Sequence, residues 1–137
     1  MELLDLFSSF KKNDKNFTKT TSLKSLERKR KEEIYLDKNV FYGLTNVNTG
    51  FDNKNIKCFS ETDFRIVLER VEQLGLGIYG IEPWKDGEYY GVEVFEDFSS
   101  SPTESCWYFG SFNRYINSGD LIEYSATFLI AESLLEE

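Results

Sequence analysis

Residues 60–95, SETDFRIVLERVEQLGLGIYGIEPWKDGEYYGVEVF, predict a helix that leads into a β-hairpin. Ser60 and Asp63 form a variant of the capping box, and Gly75 is placed to end the helix in the left-handed conformation. Between these caps, apolar residues recur at intervals of three and four, which indicates one buried stripe. The stripe comprises Phe64, Val67, Leu68, Val71 and Leu74.

The dipeptide Asp86-Gly87 predicts a type I′ hairpin turn, because both of its positions must adopt a positive φ. Predicted strands flank it at residues 78–84 and 88–98. If Lys85 faces Glu88, one face of the hairpin is almost wholly apolar and suits the helix stripe. Its cross-strand pairs are Pro83/Tyr90, Ile81/Val92 and Tyr79/Val94.

The other face mixes large aromatics, carboxylates and glycines, a composition typical of protein interfaces. Its pairs are Trp84/Tyr89, Glu82/Gly91, Gly80/Glu93 and Ile78/Phe95. We expect the aromatics to anchor a partner, the carboxylates to pair with Lys or Arg, and the glycines to allow close backbone approach. The predicted partner-binding residues are Trp84, Tyr89, Phe95, Glu82, Glu93, Gly80 and Gly91. The alternative is that the N-terminal segments cover this face.

The N-terminal part of the chain predicts two helices. Residues 1–12 have helical apolar spacing, residues 13–21 form a polar loop, and a helix capped by Ser22 runs to about Glu33. Leu23 and Leu26 should face inward, while the basic run at residues 24–31 should form a solvated helix face. Residues 34–41 then indicate an extended segment.

After the hairpin, a helix at residues 104–116 and a strand at residues 121–130 are predicted. Cys106 in that helix is expected to be buried. The strand alternates clearly, with Ile122, Tyr124, Ala126, Phe128 and Ile130 on one side. The fold class is therefore α+β, with a single small domain over residues 1–137 in which an antiparallel sheet packs against two to four helices.

Charge divides the 137 residues unevenly. Residues 1–38 contain 10 Lys and Arg against 7 Asp and Glu, a balance of +3, and form a helical, basic segment. Residues 39–137, the helix-and-sheet core, contain 6 against 17, a balance of −11, which gives −8 in total. An acidic chain is unsuited to direct nucleic-acid binding and suited to a basic partner.

The composition also limits the possible chemistry. With no His and two Cys, the chain lacks the residues of Ser-His-Asp catalysis and of common zinc sites, so we expect no metal, cofactor or catalytic residue. Glu82 and Glu93, diagonal on one predicted face, are the one acid/base pair that the sequence permits. The absence of a signal peptide pattern or a membrane-length apolar run predicts a cytoplasmic protein that does not contact a membrane.

The region from Phe59 to Phe98, especially residues 78–84 (IYGIEPW) and 89–94 (YYGVEV), resembles small bacterial immunity proteins of contact-dependent growth-inhibition systems. The resemblance implies an acidic α+β protein without enzymatic activity that neutralises a nuclease toxin domain by direct contact, accepting a toxin hairpin beside its own strands. The first 38 residues lie outside it. A small cytosolic enzyme using Glu82 and Glu93, or an adaptor for an unrelated protein, are the alternative hypotheses.

Overall fold

The computed structural model describes residues 15–48 and 56–136, with side chains from Leu23 onward. The chain divides into two compact units, Met1–Tyr35 and Leu36–Glu137. The described residues contain four helices and a four-stranded antiparallel sheet, which confirms the predicted α+β fold class. The helices are α1 (Lys15–Asn39), α2 (Glu61–Leu74), α3 (Ser105–Asn117) and α4 (Glu132–Leu135). The strands are β1 (Gly77–Lys85), β2 (Glu88–Tyr89), β3 (Glu93–Val94) and β4 (Glu123–Leu129), with a 3₁₀ turn at Phe95–Asp97.

Helix α2 forms as its sequence predicts. The Ser60 hydroxyl accepts a hydrogen bond from the Asp63 N–H at 3.2 Å. Gly75 ends the helix at φ 71°, and its N–H donates to the Glu72 carbonyl. Four residues of the predicted stripe are buried, whereas Leu74 at the helix end is 38 % exposed. Both ends of α2 are thus determined locally, by side-chain capping and by a left-handed glycine.

Strand β1 lies in the middle of the sheet, with β2 and β3 on one side and β4 on the other. Its register with β4 pairs Ile81 with Ala126 and Pro83 with Tyr124, and it is irregular between Ile78 and Gly80. Strands pair along both edges of β1, and seven of its nine residues are buried. The predicted strand at residues 121–130 is confirmed as β4, and Ile122, Tyr124 and Ile130 are buried on its apolar side.

The predicted hairpin turn is confirmed, but the strand register predicted beyond it is wrong. Asp86 and Gly87 have φ of 54° and 78°, and Trp84 pairs with Tyr89 as predicted. Farther along, Gly80 pairs with Val94 and Ile81 with Glu93, a shift of one residue. The predicted strand 88–98 is interrupted after Tyr89, at residues that include Gly91 with φ of 117°. One extra residue in the return strand turns its later side chains to the opposite face.

The core is built around Tyr124 of β4. Its ring stacks on Phe64 of α2 at 5.1 Å and meets Phe112 of α3 edge-on at 5.0 Å. Helix α2 packs mainly on β4 and α3, and α3 packs on β1. The Trp107 indole N–H of α3 donates to the Ile78 carbonyl at 3.1 Å. The buried stripe of α2 therefore contacts β4, whereas the sequence predicted that it would contact the apolar face of the hairpin.

Helix α1 is longer than predicted. It includes residues 15–21, which were predicted as a loop, and it continues to Asn39 through part of the predicted extended segment. Leu23 and Leu26 are 65 % and 64 % exposed, so the inward orientation predicted for them is wrong. The basic run does lie on a mostly exposed part of the helix. Side-chain pairs four residues apart, Arg28 with Glu32 and Lys31 with Glu27, support this largely polar helix. The helix predicted at residues 1–12 lies outside the described residues.

Helix α3 confirms the predicted element with a different N-terminus. It begins at Ser105 after Glu104, whose carboxylate accepts hydrogen bonds from the hydroxyls of Ser99 and Ser100 at 2.6 and 3.0 Å. Cys106 is exposed, so its predicted burial is wrong, while Cys58 is buried. At the first turn of α3, the neighbouring Trp107 and Tyr108 occupy the inward positions and leave Cys106 facing outward.

Candidate partner-binding surface

Trp84, the first of the predicted anchors, is only 2 % exposed. Its indole N–H donates to the Ser125 hydroxyl at 2.9 Å, and its ring packs against Tyr89 at 5.4 Å between centroids. Burial is the outcome expected if this face of the sheet is covered. In this structure Trp84 stabilises the domain and is not accessible to a partner.

Glu82 is on the same face as Trp84 and is 3 % exposed. Its Oε1 accepts a hydrogen bond from the Thr127 hydroxyl at 3.2 Å. The nearby Cys58 thiol has its pKa raised to about 12, first by burial and then by the charges of Glu123 and Glu82. A thiol held in its neutral form is a poor nucleophile, so this buried cluster is suited to a structural role.

Glu93 lies on the opposite face of the sheet because it pairs with Ile81. Its Oε1 accepts a hydrogen bond from the Arg114 guanidinium of α3 at 2.7 Å. The sheet thus separates Glu93 from Glu82, and the acid/base pair on which the catalytic hypothesis depends is not assembled.

The two glycines predicted to admit a partner backbone differ in their surroundings. A Cβ atom on Gly80 would lie 3.4 Å from the Glu93 carbonyl oxygen and 3.6 Å from methyl groups of Val92 and Val94. The return strand of the same chain already occupies that space. Gly91 is exposed, has φ of 117°, and would place a Cβ atom with nothing within 4 Å. Close approach from outside is therefore open at Gly91 only.

Among the three predicted aromatic anchors, Tyr89 is accessible, at 43 % exposure. Phe95 is half-buried and packs on Tyr79 at 6.0 Å between ring centroids. The exposed apolar residues outside the predicted site include Tyr90 at 43 %, Phe98 at 46 % and Leu121 at 90 %. The uniform hairpin register placed Tyr90 on the helix-facing side, whereas the alternation of β4 already placed Leu121 on its outward side.

Asp120 connects the hairpin to the segment before β4. Its carboxylate accepts hydrogen bonds from the Tyr90 hydroxyl at 2.8 Å and from the Lys85 ammonium at 3.2 Å. The hydrogen bond with Tyr90, followed by that with Lys85, lowers the pKa of Asp120. The same contacts with Asp120 raise the pKa values of Lys85 and Tyr90. In this cluster the Lys85 ammonium, at the end of β1, is paired with the Asp120 carboxylate.

Every basic residue of the described segment 56–136 has a partner within the chain. Lys57 pairs with Asp37, Lys85 with Asp120 and Arg114 with Glu93. Arg70 donates to the carbonyls of Val40 and Tyr42, and the Arg65 guanidinium lies over the Phe112 ring. These contacts leave few cationic groups available to an outside ligand.

The hairpin tip and the return strand carry exposed carboxylates, of which Asp86 interacts electrostatically with Lys85. Asp86, Glu88, Glu96 and Asp97 are exposed, and none forms an ion pair with another described residue. The exposed aromatics are close to them in the chain, with Tyr89 and Tyr90 after Glu88 and Phe98 after Asp97. We call this region the return-strand surface; it comprises Asp86, Glu88, Tyr89, Tyr90, Glu96, Asp97 and Phe98.

The composition of the described residues limits the possible sites. No cluster of three or more His, Cys, Asp or Glu that could hold a metal ion occurs among them. None of the helices in the part of the chain with assigned structure is long and apolar enough to cross a membrane. Comparison with protein-family models, with curated proteins and with solved structures found no match.

Proposed function

We propose that this chain is an immunity-type binding protein, which neutralises a basic nuclease toxin domain in the cytoplasm by direct protein–protein contact. The observation that carries the proposal is the charge of the return-strand surface. Its carboxylates project outward, while the basic residues of segment 56–136 are engaged within the chain. Nuclease domains carry Lys and Arg to bind phosphate, so an acidic inhibitor is electrostatically complementary to them.

The exposed aromatics supply the second part of the interaction. Electrostatic attraction between complementary surfaces accelerates association, whereas tight binding depends on a few large side chains that become buried. Tyr89, Tyr90 and Phe98 are each more than two-fifths exposed and lie within two residues of Glu88 or Asp97 in the chain. A partner with a basic, partly apolar surface would therefore be attracted first and then held by these rings.

The alternatives differ in how far the geometry supports them. An enzyme that uses Glu82 and Glu93 would need both carboxylates at one reacting centre, but the two lie on opposite faces of the sheet. An adaptor for an unrelated basic protein would use the same return-strand surface. Gene neighbourhood distinguishes this adaptor from an inhibitor, because an immunity protein is expected beside a toxin gene.

The test uses the product of the gene immediately upstream, which the proposal expects to contain a nuclease toxin domain. Its cleavage of plasmid DNA and of transfer RNA is measured with increasing amounts of the full chain. We expect inhibition that is complete near equimolar ratio, and no inhibition of a commercial basic ribonuclease of unrelated sequence. The absence of a toxin gene, or cleavage that persists with excess chain, would overturn the proposal.

The electrostatic part has a matched control. Glu88→Lys on the return-strand surface and Glu136→Lys near the C-terminus change the net charge equally, and both residues are exposed. We expect Glu88→Lys to slow association with the toxin domain much more than Glu136→Lys at low salt. The difference should shrink as ionic strength rises, since the screening length falls to about 8 Å at ~0.15 M salt. Equal rates for the two variants would show that this surface does not guide the partner.

A further inference from the structure

The loop before β4 holds one aliphatic side chain in solvent. Leu121 is 90 % exposed, the highest value among the large exposed hydrophobic residues described. The residue after it, Ile122, is 3 % exposed and belongs to the core. An isolated exposed leucine is common on protein surfaces, and Leu121 differs from such a residue in its surroundings.

Those surroundings fix the loop on the N-terminal side of Leu121. Asp120 is bound by Tyr90 and Lys85, which belong to two other segments of the chain. Gly119 has φ of 83°, and its N–H donates to the Ile116 carbonyl at 3.2 Å. The Ser118 hydroxyl donates to the Tyr115 carbonyl at 2.6 Å. With Asp120 held on one side and Ile122 buried on the other, the backbone that carries Leu121 is organised before any partner binds.

Leu121 is also continuous with the return-strand surface. Tyr90 is 43 % exposed, and its hydroxyl donates a hydrogen bond to Asp120, the residue before Leu121. Lys85 contacts the same carboxylate and is followed by the exposed Asp86 at the hairpin tip. It is paired across the hairpin with Glu88, whose side chain is exposed. Leu121 thus follows a residue whose contacts connect it to a hairpin tip that carries the exposed carboxylates of Asp86 and Glu88.

We infer that Leu121 is the apolar anchor of the return-strand surface and inserts into an apolar pocket rimmed by Lys and Arg on a basic protein. The inference rests on the proposed function for the choice of partner. Leu121 would fill the pocket, Tyr90 would cover its edge, and Asp86 and Glu88 would pair with the basic rim. Asp120 is a positioning residue, because it acts through the loop and is already bonded within the chain.

The first experiment measures affinity for the upstream toxin domain with three chains: unchanged, Leu121→Asp and Leu134→Asp. Leu134 of α4, an exposed leucine outside the return-strand surface at 41 %, is the control. We expect Leu121→Asp to weaken binding by about tenfold or more and Leu134→Asp by less than about twofold. All three chains should have the same melting temperature. Equal affinities would overturn the inference and leave the proposed function standing.

A second experiment does not depend on the toxin. Phage-displayed random peptides of twelve residues are selected for binding to the unchanged chain. The binding of the selected peptides to Leu121→Asp and Leu134→Asp is then measured. We expect the peptides that Leu121→Asp loses to combine Lys or Arg with aliphatic or aromatic residues. Acidic peptides, or peptides that bind all three chains equally, would contradict the inference. If peptide binding follows the prediction while the toxin domain does not bind, the proposed function is wrong. The role of Leu121 in binding a basic, partly apolar partner is then still supported.

A second copy of the chain is the competing occupant. Sedimentation velocity of the unchanged chain at low and high salt shows whether Leu121 mediates self-association. We expect a monomer under both conditions, because two strongly acidic surfaces repel each other. A dimer that Leu121→Asp dissociates would overturn the assignment of a basic partner.

Tyr90→Phe gives a further check, since it removes the hydrogen bond to Asp120 while keeping the ring, and should weaken binding only modestly.

Discussion

Glu82 and Glu93 occupy opposite faces of the sheet, Glu82 buried beside Thr127 and Glu93 bonded to Arg114 at the surface. The two carboxylates therefore have different energetic roles. Removing Glu82 leaves the Thr127 hydroxyl without this acceptor inside the protein, whereas removing Glu93 breaks an ion pair that is partly in water.

The first prediction follows from this separation. We expect Glu82→Ala to lower the free energy of unfolding by about 1–3 kcal/mol, and Glu93→Ala by at most about 1 kcal/mol. Urea melts monitored by circular dichroism measure both. High salt should reduce the effect of Glu93→Ala further. A larger loss from Glu93→Ala than from Glu82→Ala would contradict the register of β3 described above.

Trp84 gives the second prediction. Because it is almost fully buried, Trp84→Ala should destabilise the fold by roughly 3–5 kcal/mol, mainly through the cavity that it leaves. Tyr89→Ala, at the paired position of β2, should cost less than about 1 kcal/mol, since Tyr89 is 43 % exposed. If Trp84→Ala leaves the melting temperature unchanged and weakens only partner binding, Trp84 is an anchor after all.

Local chemistry explains which elements could be predicted from the sequence. The caps of α2, the positive φ values at Asp86 and Gly87, and the alternation of β4 depend on residues close together in the chain. Helical spacing identified the buried stripe of α2 for the same reason. In α1 the same spacing at Leu23 and Leu26 marked a helix face, but periodicity does not show whether another element covers that face.

The candidate site was harder to predict because it depends on one nonlocal feature. The interruption of the return strand after Tyr89 changes the register by one residue, and that change moves Glu93 to the other face. The pairing of β1 with β4 could not be inferred from hairpin sequence alone, yet it brings Ser125 beside Trp84 and Thr127 beside Glu82. Tyr89 and Gly91 are the predicted site residues that stay exposed together.

The third prediction concerns the core under α2. Leu68 is fully buried, so Leu68→Ala should cost ~2–5 kcal/mol in unfolding free energy. Leu74→Ala at the exposed end of the same helix removes the same atoms and should cost less than about 1 kcal/mol. Equal, near-zero losses in urea melts would show that the stripe of α2 does not face a core.

Gly91 and Gly80 give the fourth prediction, since only Gly91 has a backbone conformation that other residues rarely adopt. Gly91→Ala should destabilise the protein by about 1–3 kcal/mol through backbone strain, although nothing would contact the new methyl group. Gly80→Ala places a Cβ atom in ordinary contact at 3.4–3.6 Å and should change stability by less than about 1 kcal/mol. Thermal melts of both variants test this, and a tolerated Gly91→Ala would contradict the interruption of the return strand.

The two cysteines give the fifth prediction, because Cys58 is buried and Cys106 is exposed. Burial raises the pKa of the Cys58 thiol to about 12, whereas Cys106 is exposed. The thiolate is the reactive form, so a disulfide reagent such as Ellman's at pH 8 should modify Cys106 in the folded protein and spare Cys58. We expect one thiol per chain to react without denaturant and two in urea, and Cys106→Ser should abolish the reaction of the folded chain.

Because the Cys58 pKa is raised on folding, its contribution to stability should be constant below about pH 9 and decrease as the pH rises toward 12. Rapid reaction of both thiols at pH 8 without denaturant would show that the cluster around Cys58 opens to solvent.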